Sequence, residues 1–255
     1  MQDWAGHGAI VTGAASGLGA ATAERLAASG LKVTIFDMNA TAGQAQADKV
    51  GGAFAAVDVS NPQSVADGIA KAEATHGPTR VLVNCAGIAA AAKTVSRGEA
   101  HDAEMFDRVI RVNLIGSFNC ASQAAARMVA ADPIDADGAR GVIINTASVA
   151  AYDGQIGQLA YSASKGGIVG MTLPMARDLA DKGIRVCTIA PGLFLTPLLR
   201  ELPEEVQASL GAQVPFPSRL GDPAEYGALV DHITRNPMLN GEVIRLDGAI
   251  RMAPR

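Results

Sequence analysis

The strongest constraint in this chain is a rhythm. Short runs of β-branched and aliphatic residues, at 8–12, 32–36, 53–57, 80–84, 141–146, 184–190 and 242–246, are separated by longer alanine-rich stretches of helical composition. Strands alternating with helices read as consecutive βαβ units, which call for a parallel sheet with crossover helices. Within the runs the apolar residues are consecutive, as in Val81-Leu82-Val83 and Val142-Ile143-Ile144. A strand wetted on one face would alternate apolar with polar, whereas a strand covered by helices on both faces has no need to. Seven such strands fill the 255 residues without a long linker or an internal repeat. The expectation is therefore one doubly wound α/β domain over residues 1–255 with a seven-stranded parallel sheet.

Composition removes several classes of function. An apolar content of 49% with only 18% charged residues excludes a disordered chain. The net charge of −4 argues against a nucleic-acid surface, which needs a basic stripe to displace counterions. Cys85, Cys120 and Cys187 are far apart and odd in number, so neither a disulfide framework nor a zinc site is expected. His7, His76, His101 and His232 have no metal-binding spacing and read as solvated. No run of about 18 apolar residues could cross a bilayer, and the first residues lack a signal-peptide pattern. The expected location is cytoplasmic, or a mitochondrial matrix had a transit peptide been removed.

Chemistry-bearing residues gather where strands end. After the first strand comes Thr12-Gly13-Ala14-Ala15-Ser16-Gly17-Leu18-Gly19, then an alanine-rich helix. Glycines there let the backbone approach a pyrophosphate, whose charge suits a helix N-terminus, and the fold so implied is of the Rossmann type. An ordinary strand-to-helix turn would explain the glycines alone, but the second strand ends at Asp37, eighteen residues beyond Gly19. A carboxylate at that place accepts hydrogen bonds from an adenosine ribose and repels a 2′-phosphate, which favours NAD over NADP. Asp58-Val59 and Asn84-Cys85-Ala86-Gly87 follow the third and fourth strands and suit the same pocket or plain turns. Two further stretches are candidate rims: the polar insertion 89–104, and the proline-rich segment 192–217, a substrate lid around one short helical patch.

Tyr161 and Lys165 have the i, i+4 spacing that stacks side chains on one helix face. A phenol with pKa near 10 is a poor base at neutral pH, and a neighbouring ammonium lowers it. Ser148, at the end of the fifth strand, can orient a carbonyl or alcohol oxygen. Asn113 is a polar amide inside an otherwise apolar helical stretch and must find partners. A surface helix pair would explain Tyr161 and Lys165 in isolation; it does not explain them together with Asp37, Asn84 and Ser148 in this order.

Taken together, Thr12-Gly13-x-x-x-Gly17-x-Gly19, Asn84-Cys85-Ala86-Gly87, Asn113, Ser148, Tyr161-x-x-x-Lys165 and Pro191-Gly192 resemble the short-chain dehydrogenase/reductase family from end to end. Runs at 141–151, 161–176, 189–194, 213–225 and 240–252 resemble one branch, the type-2 3-hydroxyacyl-CoA dehydrogenases, in which Cys is expected after Asn84. The resemblance implies NAD as cofactor, contacted by Ser16, Leu18, Asp37, Asp58, Val59, Cys85, Tyr161, Lys165, Phe194 and Thr196, with Gly13, Gly19, Asn84, Ala86, Gly87 and Pro191 framing it. It implies Ser148, Tyr161, Lys165 and Asn113 as the catalytic set, Ser148 and Tyr161 on the substrate, and Asn113 holding a water that relays protons. The implied substrate is an acyl-CoA or another secondary alcohol. The alternatives are a hydroxysteroid dehydrogenase, since Leu193, Leu195, Leu198, Leu199, Val214 and Phe216 would accept a ring system, and a catalytically silent NAD-binding sensor. A reductase of acyl carrier protein fits less well, because Asp37 disfavours NADPH. Residues 156–180 are apolar almost all round, so a symmetric partner is expected to cover one side, giving a homotetramer with a second interface at Val243–Met252.

Overall fold

A computed structural model of the chain describes residues 1–254; the side chain of Leu198, one of the expected rim residues, lies outside that description. In chain order the elements are β1 (Gly8–Thr12), α1 (Gly17–Ala28), β2 (Lys32–Asp37), α2 (Ala40–Val50), β3 (Ala53–Ala56), α3 (Pro62–His76) and β4 (Thr79–Asn84). A hairpin of β5 (Val95–Ser96) and β6 (Glu99–Ala100) follows, then α4 (Ala103–Ile110), a π-helical turn at Arg111–Ile115, α5 (Gly116–Val129), β7 (Gly141–Thr146) and α6 (Leu159–Leu179). The chain ends with β8 (Ile184–Pro191), α7 (Pro197–Arg200), α8 (Glu204–Ala212), α9 (Pro223–Arg235) and β9 (Val243–Leu246).

Seven strands form one parallel sheet in the order β3-β2-β1-β4-β7-β8-β9. Consecutive residues along each central strand feed opposite faces, and both faces are covered. Val11, Ile35, Val83, Ile144 and Ile189 pack under α1 and α9, while Ile10, Phe36, Leu82, Ile143 and Val186 pack under α3, α5 and α6. That is why the strands read as unbroken apolar runs. Each such side chain, almost wholly buried, contributes roughly 1.5–3 kcal/mol to the fold.

The order reverses between β1 and β4, which leaves a crevice above their carboxyl ends. Register holds the ends level, with Thr12 beside Asn84 and Asn84 beside Asn145, so the loops after β1, β4 and β7 emerge at one edge.

Three regions differ from the sequence expectation. The insertion 89–104 carries a β-hairpin whose two turn residues, Arg97 (φ 53°) and Gly98 (φ 85°), both take the left-handed conformation that a tight hairpin needs. The lid holds two helices, α7 and α8, where one helical patch was expected. His7, just before β1, and His76, the last residue of α3, are half-buried near the amino-terminal edge of the sheet, and burial lowers the pKa of both.

Candidate active site

Glycine placement builds the floor of the crevice. Gly13 (φ 62°) passes so close to the loop after β4 that a Cβ would sit 2.7 Å from the Ala86 Cα. A Cβ on Gly19 would lie 2.4 Å from the Gly13 carbonyl oxygen, so α1 packs directly on the turn that precedes it. The N-termini of α2, α3, α4 and α9 are capped by Asn39, Asn61, Asp102 and Asp222, whereas Ser16, at the start of α1, makes no side-chain cap. Its first N–H groups stay free to face an anion.

Asp37 is fixed over this loop. One carboxylate oxygen accepts from the Ala15 N–H at 3.0 Å and the other from the Asn39 N–H at 2.9 Å. A carboxylate has about four acceptor positions, so two remain for ribose hydroxyls. Asp58 is held similarly, accepting from the N–H and hydroxyl of Ser60.

A cavity of about 750 Å³ runs along the carboxyl edge. It is lined by Asp37, Asp58 and Val59 on one side, by Gly13, Ser16, Leu18, Gly19, Cys85, Ala86 and Gly87 in the middle, and by Tyr161, Lys165, Pro191 and Thr196 on the other. From β2 to β7 is three strand spacings, roughly 14 Å, which suits an extended dinucleotide. The residues present therefore fit a nicotinamide dinucleotide.

At the β7 side, Tyr161 and Lys165 share one face of α6, with the Lys165 Nζ 5.7 Å from the phenol ring centroid. Burial raises the Tyr161 pKa, and a hydrogen bond with the Ser148 hydroxyl pulls it partly back. The expectation that Lys165 lowers it is not met in this state: the ammonium donates instead to the Thr146 carbonyl at 2.7 Å. Burial brings Lys165 itself down to about 8.

Four expected site residues, Ser148, Asn84, Phe194 and Asn113, stand outside the cavity lining. Ser148 is buried after β7, where its hydroxyl accepts from the Ala150 N–H at 3.1 Å and meets Tyr161. Asn84 is buried and donates to the Ser117 carbonyl and the Asn145 side chain, tying β4 to α5 and β7. Phe194 packs edge-on against Tyr226 in the core, 6.5 Å between centroids, and lines a separate cavity of about 110 Å³. Asn113 sits in the π turn; its amide accepts from the Ile88 N–H at 2.8 Å and donates to the Ile88 carbonyl and the Ser164 hydroxyl. Both amide hydrogens are thus committed to clamping the β4 loop to α6, and the oxygen keeps one acceptor position.

Sequence reasoning missed Met38, Asp107, Arg108, Arg111 and Val112, all of which line the cavity. The last four form two i, i+4 pairs just before Asn113, a spacing that would have marked them as one face of α4 and the π turn. Among the described residues, no three His, Cys, Asp or Glu side chains gather as a metal site.

With this geometry in place, the comparisons with known proteins are decisive. The sequence pattern of the short chain dehydrogenase family matches residues 7–207. The chain belongs to that family. It is 59% identical over 250 residues to the human 3-hydroxyacyl-CoA dehydrogenase type-2, covering 96% of this chain and 95% of that one. The Drosophila melanogaster protein of the same name is 53% identical, covering 96% and 97%. The crystal structure of 3-hydroxyacyl-CoA dehydrogenase type-2 from Mycobacterium avium superposes with a TM-score of 0.96 at 42% identity, covering all of both chains. As a short chain dehydrogenase, the protein is an oxidoreductase that works with a nicotinamide cofactor on a small-molecule substrate. Among the described residues no helix is long and apolar enough to cross a membrane.

Proposed function

We propose that this short chain dehydrogenase interconverts 3-hydroxyacyl-CoA and 3-ketoacyl-CoA esters with NAD. The observation that carries the reading is one cavity with Asp37 on one side and Ser148-supported Tyr161 beside Lys165 on the other. The similarity to the type-2 enzymes supplies the substrate class.

When bound, the cofactor supplies the two-electron acceptor or donor for hydride. Gly13, Ser16 and Gly19 would hold its pyrophosphate and Asp37 its adenosine ribose. Oxidation takes a hydride from the carbinol carbon and a proton from its hydroxyl; Tyr161 Oη accepts the proton, and the Ser148 hydroxyl fixes the reacting oxygen. In the reverse direction Tyr161 returns the proton to the ketone oxygen. Burial keeps the phenol protonated at neutral pH, which suits the reducing direction, so kcat/KM for oxidation climbs with pH as the phenol ionises.

Tyr161→Phe should lower kcat in both directions by about three orders of magnitude, with NAD affinity by calorimetry changed less than about twofold. Retained turnover in that variant would refute the assignment. Steady-state kinetics with acetoacetyl-CoA, a branched 3-hydroxyacyl-CoA and a hydroxysteroid then separate the substrate classes. The protein works as a homotetramer, with exposed apolar residues on α5 and α6 supplying one contact and the edge strand β9 the other. An edge strand with half-buried side chains is otherwise open to unwanted pairing.

A further inference from the structure

Behind the catalytic lysine lies a polar cluster that the mechanism above does not use. Tyr226, on α9, is fully buried, and its hydroxyl lies 2.7 Å from the Thr146 hydroxyl. The Thr146 hydroxyl donates to the Cys85 Sγ at 3.6 Å, and the Cys85 thiol points at the Tyr226 oxygen at 3.9 Å. These directions close a ring only if Tyr226 is the donor to Thr146. The same residue, Thr146, offers its carbonyl to the Lys165 Nζ at 2.7 Å.

Thr146 is the last residue of β7, where the ladder stops constraining the backbone. Its peptide is oriented by the Ala147 N–H, bonded to the Ile189 carbonyl at 2.8 Å, and by its own side chain, whose hydroxyl is held by Tyr226. A phenol in an apolar core needs a partner, and this one has been placed where it fixes the acceptor of the buried ammonium.

We propose that Tyr226 is a positioning residue for the reaction: through the Thr146 hydroxyl it orients the Thr146 carbonyl that holds Lys165, and with Cys85 it forms the wall against which that lysine is set. This deepens the assignment of Lys165 to the active site and rests on it. Cys85 belongs to the same device, since a longer side chain there would meet the Tyr226 hydroxyl.

Lys165 is faced by Tyr161 from its own helix and by Cys85 from the β4 loop, with Asn113 and Gly87 the neutral neighbours. A hydrogen bond to a carbonyl stabilises the charged amine, so loosening that carbonyl lowers the amine's pKa further below its value of about 8.

The test is Tyr226→Phe, which keeps the ring and its edge contact with Phe194 and removes only the hydroxyl. With ¹³C-methylated lysines followed by NMR in the free protein, Lys165 should titrate about half a pH unit lower than in the wild type. In the assay, kcat should fall roughly three- to tenfold with the KM for NAD within about twofold. Thr146→Val should give the same two effects, and the double variant should be no worse than the stronger single one, because both break one connection. Where the Thr146 hydroxyl, left with Cys85 alone as partner, weakens the Tyr226→Phe fold, the double variant removes it and carries the measurement. A Lys165 titration unchanged in Tyr226→Phe overturns the proposal, as does an additive double variant. Neither result touches the Tyr161 assignment, which stands or falls on Tyr161→Phe.

Discussion

An ammonium sealed among Thr146, Tyr161 and Gly87 works against the fold that holds it. Lys165 is 4% exposed and its pKa falls from 10.5 to about 8, so the folded state disfavours the charged form. The cost is full below the folded value and fades as pH rises from about 8 to 10.5, where the unfolded chain also loses its proton. A shift of that size corresponds to about 3 kcal/mol, of which the lost bond to the Thr146 carbonyl offsets roughly one on substitution. Lys165→Met should therefore be inactive yet more stable by about 2 kcal/mol in urea unfolding at pH 7, and the gap should close toward pH 10. A variant less stable than wild type at pH 7 would show that the buried charge is better compensated than its surroundings suggest. The role proposed for Asp37 is in the choice of cofactor. Asp37→Ser should raise the KM for NAD and relax discrimination against NADP, and a wild type that already prefers NADP would remove Asp37 from that role. Tyr161, Lys165 and Asp37 line the cavity where the sequence placed them, because a helical i, i+4 pair and a residue ending a strand are local patterns. The side chains of Asn84 and Phe194 turn away from the cavity because they answer to neighbours far along the chain, Asn145 and Tyr226, which no local pattern reveals.

The strand-and-helix rhythm was readable because burial on both faces writes itself into each strand locally. The π turn at Arg111–Ile115 and the β5–β6 hairpin were not, since neither has an apolar period to announce it. The hairpin is pinned at its base, where the Ala92 N–H donates to the Gly157 carbonyl at 2.9 Å, just ahead of α6 with its Tyr161–Lys165 pair. Its turn stands in solvent, and Lys93 and Arg97 are both exposed. A CoA thioester carries several phosphate charges that an acidic protein must meet locally or leave to water. If these two cations meet them, Lys93→Ala with Arg97→Ala raises the KM for acetoacetyl-CoA several-fold and leaves kcat nearly unchanged, as expected when uniform binding is lost. Added salt should weaken the wild type more than the double variant, and a thioester truncated before the nucleotide should be handled alike by both. Equal KM values on the full ester would place the nucleotide in solvent.

The protomer also carries glycines that it does not need. Gly166 and Gly170 lie within α6, where glycine is costly, and a Cβ at either would meet nothing within 4 Å. Around them run exposed Leu159, Ala163 and Leu173, and on the same side of the sheet the π turn exposes Ile115 and α5 exposes Phe118 and Val129. An isolated subunit gains nothing from a flat apolar helix face, whereas a second subunit gains close approach to it. The two possibilities give opposite signs for one substitution. In a monomer, Gly170→Gln adds helix propensity without a clash and should stabilise the chain by about 0.5–1 kcal/mol. In the proposed tetramer the same side chain is forced into a packed helix–helix contact, so the assembly should fall apart while each subunit keeps its fold. Light scattering at micromolar concentration should give a tetramer for the wild type and a smaller species for Gly170→Gln, with unchanged circular dichroism. Melting temperature should rise with protein concentration in the wild type and lose much of that dependence in the variant, because a dissociated subunit no longer gains stability from association. A wild type that is monomeric, or a Gly170→Gln protein that remains tetrameric, would free this face from the assembly and leave its glycines without a role.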